Sequence, residues 1–219
     1  MRALDFVKPD TVVGLGAGRA SRAFVIELGT RVKAGLRVQG VPASDDTAAL
    51  AKEVGVPLVS LEAGELDVTV DGADEVDPRL DMIKGFGGAL TRERIIAVAA
   101  RRQIILVGHD KLTDVLGRRG RVPVEVLPFA LPYCRRRLAA LGHEGVLRMA
   151  ADDKPFITDN WNVILDIAVT AIEDARALDR AIRAIPGVVD NGLFLGIAHT
   201  VLVAEGGTIK ELRREGVRE

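Results

Sequence analysis

The chain has 219 residues and one cysteine, Cys134. No disulfide framework can form, so stability must come from a packed core, as in proteins of a reducing cytoplasm. Aromatic residues amount to 4%, with a single tryptophan, Trp161, and a single tyrosine. The basic clusters Arg118-Arg119-Gly120-Arg121 and Arg135-Arg136-Arg137 therefore lack the interleaved rings of a base-stacking surface, and read as a solvated loop and a solvated helix face. Neither sign of charge is in excess: 30 basic against 31 acidic residues gives a net charge of −1, which argues against a general nucleic-acid binder. No apolar run approaches the ~20 residues that span a bilayer, and no apolar h-region follows Met1-Arg2-Ala3-Leu4-Asp5. The three histidines, His109, His143 and His199, are scattered without ligand-like spacing, so no metal site is expected. These absences lead to the expectation of a soluble, cytoplasmic protein. Its 48% hydrophobic content and its length suffice to bury roughly 70% of the unfolded surface.

The first half alternates β-rich runs with helical stretches. Strands are expected at Thr11–Leu15, Leu36–Val41, Leu58–Leu61, Leu66–Val70 and Gln103–Val107, and helices at Ser21–Val32, Ser44–Val54 and Arg92–Arg102. Such alternation makes βαβ units and a mainly parallel sheet covered by helices. After residue 120 the rhythm changes. Short strands at Val122–Val126, Val146–Ala150, Pro155–Thr158 and Val163–Ile167, with helices at Pro132–Leu141 and Ala175–Ala184, suggest a compact α+β insert. A strand at Thr200–Ala204 and a helix at Thr208–Arg214 return to the first sheet. The expected organisation is a large α/β domain of residues 1–121 and 195–219, interrupted by a smaller α+β domain of residues 122–194.

Gly14-Leu15-Gly16-Ala17-Gly18-Arg19 lies where the first strand turns into a helix. Glycines there let the backbone approach an anion, and the helix start offers N–H groups and a positive dipole end. A G-x-G-x-x-G dinucleotide fingerprint would need glycine at 19, and the acidic ribose reader is missing from Val38-Gln39-Gly40-Val41. Two readings remain: a site for a single phosphate or other small anion, with Arg19 as a fork-shaped partner, or a structural tight turn.

Asp71 and Asp74 follow an apolar strand at the edge where parallel sheets place ligands, although Asp-Gly turns are also commonly solvated. A second glycine run, from Lys84 to Gly88, precedes a helix whose first turn carries Glu93. The helix dipole alone would favour a carboxylate there. Together, a lysine, a base-type glutamate and two aspartates suit proton transfer beside a carbonyl, with the lysine stabilising an enediolate oxygen.

Asp71-Gly72-Ala73-Asp74-Glu75, Lys84-Gly-Phe-Gly-Gly-Ala-Leu-Thr-Arg-Glu93, Val122-Pro-Val-Glu-Val126, Thr158-Asp-Asn160 with Val163-Ile-Leu-Asp166, and Ile185 to Phe194 resemble, in order and spacing, the type A ribose-5-phosphate isomerase family. The resemblance implies a Rossmann-like α/β domain with an inserted, ferredoxin-like α+β domain. It also implies a homodimer or homotetramer, a sugar-phosphate substrate, and interconversion of ribose 5-phosphate and ribulose 5-phosphate through a cis-enediol without a cofactor. By position, Glu93 matches the family's base. Asp71 and Asp74 match acids that assist ring opening and bind hydroxyls, and Lys84 and Lys111 match lysines beside the substrate. Gly16, Gly18, Arg19 and Ala20 occupy the phosphate loop, Ser44 the second substrate loop, and Gly87 and Gly88 the glycine run.

The chain departs from the family where the phosphate is held. The usual G-x-G-T-G-S-T is here Gly14-Leu15-Gly16-Ala17-Gly18-Arg19-Ala20, so three hydroxyls are gone and one guanidinium has arrived. Pro42-Ala43-Ser44 replaces Pro-Thr-Ser, Trp161 stands at a glycine position, and Arg94 replaces a lysine. An isomerase for another sugar phosphate or sugar acid, and a non-catalytic sugar-phosphate sensor, are the alternatives. The retained set of Asp71, Asp74, Lys84 and Glu93 favours an enzyme.

Overall fold

A computed structural model describes residues 2–214; Met1 and the last five residues of the expected 195–219 segment lie outside the described residues. In chain order the elements are β1 (Thr11–Leu15), α1 (Gly18–Lys33), β2 (Val38–Pro42), α2 (Asp45–Val54), β3 (Leu66–Gly72), β4 (Glu75–Val76), β5 (Met82–Ile83), α3 (Leu90–Ala99) and β6 (Ala100–Gly108). They continue with β7 (Arg121–Val126), α4 (Leu131–Ala140), β8 (Gly145–Leu147), β9 (Val163–Ala168), α5 (Ala175–Arg183), β10 (Val188–Asn191), β11 (Leu193–Phe194), β12 (Thr200–Glu205) and β13 (Thr208–Arg213). The chain forms two units: Met1–Ala73 with Arg92–Lys111 and Gly196–Glu219, and Asp74–Thr91 with Leu112–Leu195.

The first unit is built on a six-stranded sheet in the order β13-β12-β6-β3-β1-β2. All neighbouring pairs from β12 to β2 are parallel. The strands are apolar because helices cover them: Val13, Leu15, Val68, Val70 and Ile104 are buried with Phe24, Val25 and Leu28 from the inner face of α1. Strand order reverses beside β1, since β2 lies on one side and β3 on the other. Parallel sheets take their ligands at such a switch point, outside the carboxyl ends of the strands.

Three expectations for this unit are corrected. Residues 208–213 form a strand, not a helix, pairing antiparallel with β12. The connection is the two-residue Gly206–Gly207, both at positive φ (55° and 83°), the backbone that a tight hairpin needs. Residues 58–61 make only one bridge, between Leu58 and Gly40, before a short 3-10 turn at Leu61–Ala63. The helix expected over 92–102 ends at Ala99, and β6 takes up the following residues.

His199 joins the start of β12 to β6: its N–H donates to the Gln103 carbonyl (3.0 Å), and its Nδ1 accepts from the Gln103 N–H (3.1 Å). Burial, reinforced by Arg214 and Arg102, pushes its pKa below the ordinary 6.5. The unfolded chain therefore binds this proton first as pH falls. The resulting stability is intact above pH 6.5 and is lost on acidification through the window below it. Melting temperatures should fall across that window in the native chain and fall less in His199→Asn, which keeps an acceptor without a titrating ring. Equal slopes would remove His199 as the cause.

In the second unit, β7, α4, β8, β9, α5 and β10 follow one another in the ferredoxin-like order, and their four strands form an antiparallel sheet, β10-β7-β9-β8. Val122, Val124, Leu138, Leu165, Ile167 and Ile182 fill its core. Cys134 is buried among them, and burial pushes its thiol pKa up, so it behaves as a small packing residue. A second, three-stranded sheet, β11-β5-β4, also belongs here. Because β5 pairs with β11, and the Glu75 carboxylate accepts from Gly117 N (2.6 Å), residues 74–91 and 112–121 join this unit instead of the larger one. The expected strands 146–150 and 155–158 shrink to β8 and two isolated bridges, Met149 to Pro155 and Ile157 to Val163. Trp161 takes a left-handed backbone (φ 61°), a conformation that glycine adopts without strain, and is 82% exposed.

Candidate active site

In the first unit, the carboxyl end of β3 delivers Asp71 beside the loop that follows β1. Asp71 is fully buried, and its Oδ1 accepts from Ala17 N (3.1 Å), Ser21 Oγ (3.0 Å) and Gly72 N (2.7 Å). The carboxylate thus fixes the entry to α1. Gly16 is glycine because Asp71 occupies the space of a side chain: an added Cβ would lie 2.2 Å from its Cγ and Oδ1. Thr47 Oγ1 donates to the Gly16 carbonyl (3.0 Å), tying the same loop to the first turn of α2. Ser44 caps that helix: its hydroxyl accepts from Thr47 N and donates to Thr47 Oγ1.

Helix α1 starts differently. Ala17 stands at its cap and provides no side-chain hydrogen bond to the first turn. Its N–H dipoles are met by no capping oxygen from that residue, and the neighbouring Arg19 is exposed. Glu93 lies in the first turn of α3 and is 6% exposed. Arg92, just before it, donates to Asp45 at the start of α2 (2.8 Å), and Thr69 Oγ1 of β3 donates to the Ile96 carbonyl (3.1 Å). The loops after β1 and β2, the end of β3 and α3 are therefore held together within this unit. Lys111 follows β6 at the end of the 3-10 turn His109–Lys111 and is half-buried.

The second unit carries the other expected residues. Asp74 is half-buried, and its Oδ2 accepts from Phe86 N (2.9 Å). Lys84 continues β5; it is 2% exposed, its N–H donates to the Gly192 carbonyl (2.9 Å), and its Nζ lies 5.5 Å from the centre of the Phe194 ring. The glycine run closes as a turn with Gly88 N donating to the Gly85 carbonyl (3.0 Å). Gly88 has φ 90°, and an added Cβ would lie 2.5 Å from the Phe156 ring, so no other residue fits. Gly87 is exposed.

Several supporting residues received no role from sequence. Ser21 and Thr47 shape the first loop. In the second unit, the buried Glu125 accepts from Thr91 (2.6 Å), Thr158 (2.9 Å) and Asn162 (2.8 Å), and so anchors the first turn of α3. A charge inside the apolar run Val122–Val126 is the one visible sequence signal for it.

Taken separately, the first unit offers two buried carboxylates, Asp71 and Glu93, and the second a buried lysine, Lys84, and a glycine turn, residue kinds that suit acid–base work on a small polar substrate. Residues 39–207 match the model of the family described as ribose 5-phosphate isomerase A (phosphoriboisomerase A). The chain belongs to the ribose 5-phosphate isomerase A family. The ribose-5-phosphate isomerase A of Roseiflexus castenholzii is 47% identical over 214 residues, covering 96% of this chain and 92% of the relative. Among solved structures, the ribose 5-phosphate isomerase A of Methanocaldococcus jannaschii superposes with a TM-score of 0.93 at 39% identity, covering 97% of this chain and 95% of that one. A D-ribose-5-phosphate isomerase in complex with phospho-erythronic acid has the same TM-score and coverage at 41% identity. Membership of the ribose 5-phosphate isomerase A family agrees with the α/β sheet and the separate antiparallel domain described above.

Proposed function

We propose that the chain interconverts ribose 5-phosphate and ribulose 5-phosphate by moving a proton between C1 and C2 through a cis-enediolate, with Glu93 as the base. The observation that carries this reading is the retention of Glu93, buried in the first turn of α3, together with Asp71, Asp74 and Lys84, in a chain nearly half identical to a ribose-5-phosphate isomerase A. The related structure with phospho-erythronic acid supports a phosphorylated sugar skeleton as ligand. In this reading Lys84 stabilises the enediolate oxygen, where a fixed charge is worth most because water is excluded. Asp74 serves the substrate hydroxyls and ring opening. Asp71 shares that task and shapes the loop after β1. Lys111, Gly87 and Gly88 contact the substrate.

The phosphate is assigned to the start of α1, at Gly16, Gly18, Arg19 and Ala20. The helix start, where Ala17 provides no capping side chain, and the exposed Arg19 support this: an N-terminal dipole plus a guanidinium fork takes over from the family's hydroxyls. Arg19→Ala should raise KM for ribose 5-phosphate about tenfold, the loss of one charge-assisted contact, with kcat and melting temperature close to native. An unchanged KM would remove Arg19 from the phosphate site. A homodimer or homotetramer and a cytoplasmic location accompany the reading, as the family resemblance implies. No helix among the described residues is long and apolar enough to cross a membrane.

The deciding experiment is a direct assay of ketose formation from ribose 5-phosphate, with Glu93→Gln as control. Turnover that disappears in the variant supports the reading. A folded native protein without turnover would refute it, and thermal-shift measurements with other sugar phosphates and sugar acids would then identify the ligand class.

A further inference from the structure

One side chain of the second unit grips the glycine turn from behind. Arg148 follows β8 and is nearly buried, with a side-chain exposure of 10%. Its Nε and Nη2 form a fork on the Asp166 carboxylate of β9. The remaining nitrogen, Nη1, donates to two successive main-chain carbonyls, Gly85 (2.9 Å) and Phe86 (3.1 Å). The Gly85 carbonyl belongs to the same peptide unit as the Phe86 N–H, which donates to Asp74 Oδ2 (2.9 Å). One planar peptide thus has a guanidinium at its oxygen and a carboxylate at its hydrogen. A trans peptide points these groups in opposite directions. The next peptide is held at its oxygen: with the Phe86 carbonyl on Arg148, the Gly87 N–H is turned away from it.

We infer that Arg148 is a positioning residue for Asp74, acting through the Gly85–Phe86 peptide, which it orients and polarises. The chain of contacts is Asp166 carboxylate, Arg148 guanidinium, Gly85 carbonyl, Phe86 N–H, Asp74 carboxylate. A guanidinium drawing on the carbonyl makes the N–H of that peptide a stronger donor, so the Asp74 carboxyl is held in one place. Lysine cannot replace this device, because an ammonium has no planar fork to face a carboxylate and two carbonyls together. Arg148 also lies 5.9 Å from the centre of the Phe156 ring, which bears on Gly88, so the same side chain backs both ends of the turn.

The inference rests on the reading of Asp74 as a substrate-facing acid, and the test separates the two. Steady-state kinetics and melting temperatures would be measured for Arg148→Lys, Asp74→Asn and the double variant, following residual turnover at high enzyme concentration. Arg148→Lys should lower kcat about 10- to 100-fold, the scale of a misplaced catalytic group, and leave KM within about threefold. In the Asp74→Asn background the same change should have little further effect, because the group it positions is no longer an acid. Full losses that multiply in the double variant would overturn the inference while leaving Asp74 in its role. Native kinetics for Asp74→Asn would overturn that role and the inference with it. Should Arg148→Lys fold poorly, Asp166→Asn, which keeps the guanidinium and loosens its anchor, replaces it with a smaller loss and the same dependence on Asp74.

Discussion

Glu93→Gln is expected to lower kcat about 10²- to 10⁴-fold, the range for removing a positioned acid–base group, while ribose 5-phosphate still binds. The substitution keeps size, exchanges one acceptor oxygen for an amide donor, and removes the charge together with the capacity to take up and return a proton. Glu93 is 6% exposed in the first turn of α3, so an isosteric amide fits the same space. The helix dipole loses a favourable charge worth about 0.3–1 kcal/mol, so the melting temperature should drop by no more than a few degrees. The check pairs turnover with ligand-induced thermal stabilisation. A variant that turns over near the native rate would exclude Glu93 as the base. One that neither turns over nor binds would make it a binding residue.

Gly16→Ala is expected to be the most damaging single-methyl change near the first loop. The new Cβ would lie 2.2 Å from both Cγ and Oδ1 of Asp71, so the carboxylate must move. That oxygen accepts from Ala17 N, Ser21 Oγ and Gly72 N, and its displacement undoes the entry to α1 and the place of Asp71 together. Overpacking of this kind costs about 1–3 kcal/mol, and kcat/KM should fall about a hundredfold through lost geometry. Gly35→Ala is the control. Gly35 has φ 103° and open space around it, so alanine there meets only backbone strain of about 1–2 kcal/mol. The two variants should be similarly destabilised, with turnover lost only at position 16. Parallel losses would mean that stability, not the position of Asp71, controls activity.

The strands β1 and β3 were legible because each is a short, largely apolar run covered on both faces. Ser44 announced the start of α2 by its side chain and its place, and the structure has it as the cap. Residues 208–213 were misread because Thr-Ile-Lys-Glu-Leu-Arg suits a helix locally; the preceding glycine pair and the partner strand β12 decide otherwise. The four candidate acid–base residues, Asp71, Asp74, Lys84 and Glu93, are proposed from residue kind, and their assignment to a sugar phosphate comes from family resemblance. Their supports were not legible. Arg148 meets a carbonyl 63 residues away, Asp71 an amide 54 residues away, and no local pattern encodes such partners. Glu125 is a charge in an apolar strand, and the hydroxyls and amide that donate to it lie outside that strand.

The division of the chain has a consequence for anyone wishing to take the protein apart. The backbone passes from one unit to the other four times, at 73–74, 91–92, 111–112 and 195–196, and the second of these crossings falls inside helix α3. The first unit is written in three separate stretches of sequence and the second in two. Neither is a cassette that one pair of cuts could excise, and a truncation chosen at either border of the α+β insert would sever strands of one sheet or unwind the helix that bears Glu93. Swapping the loop after β1 between relatives therefore means transplanting residues 14–20 alone, whereas exchanging whole domains would require rejoining every crossing in register.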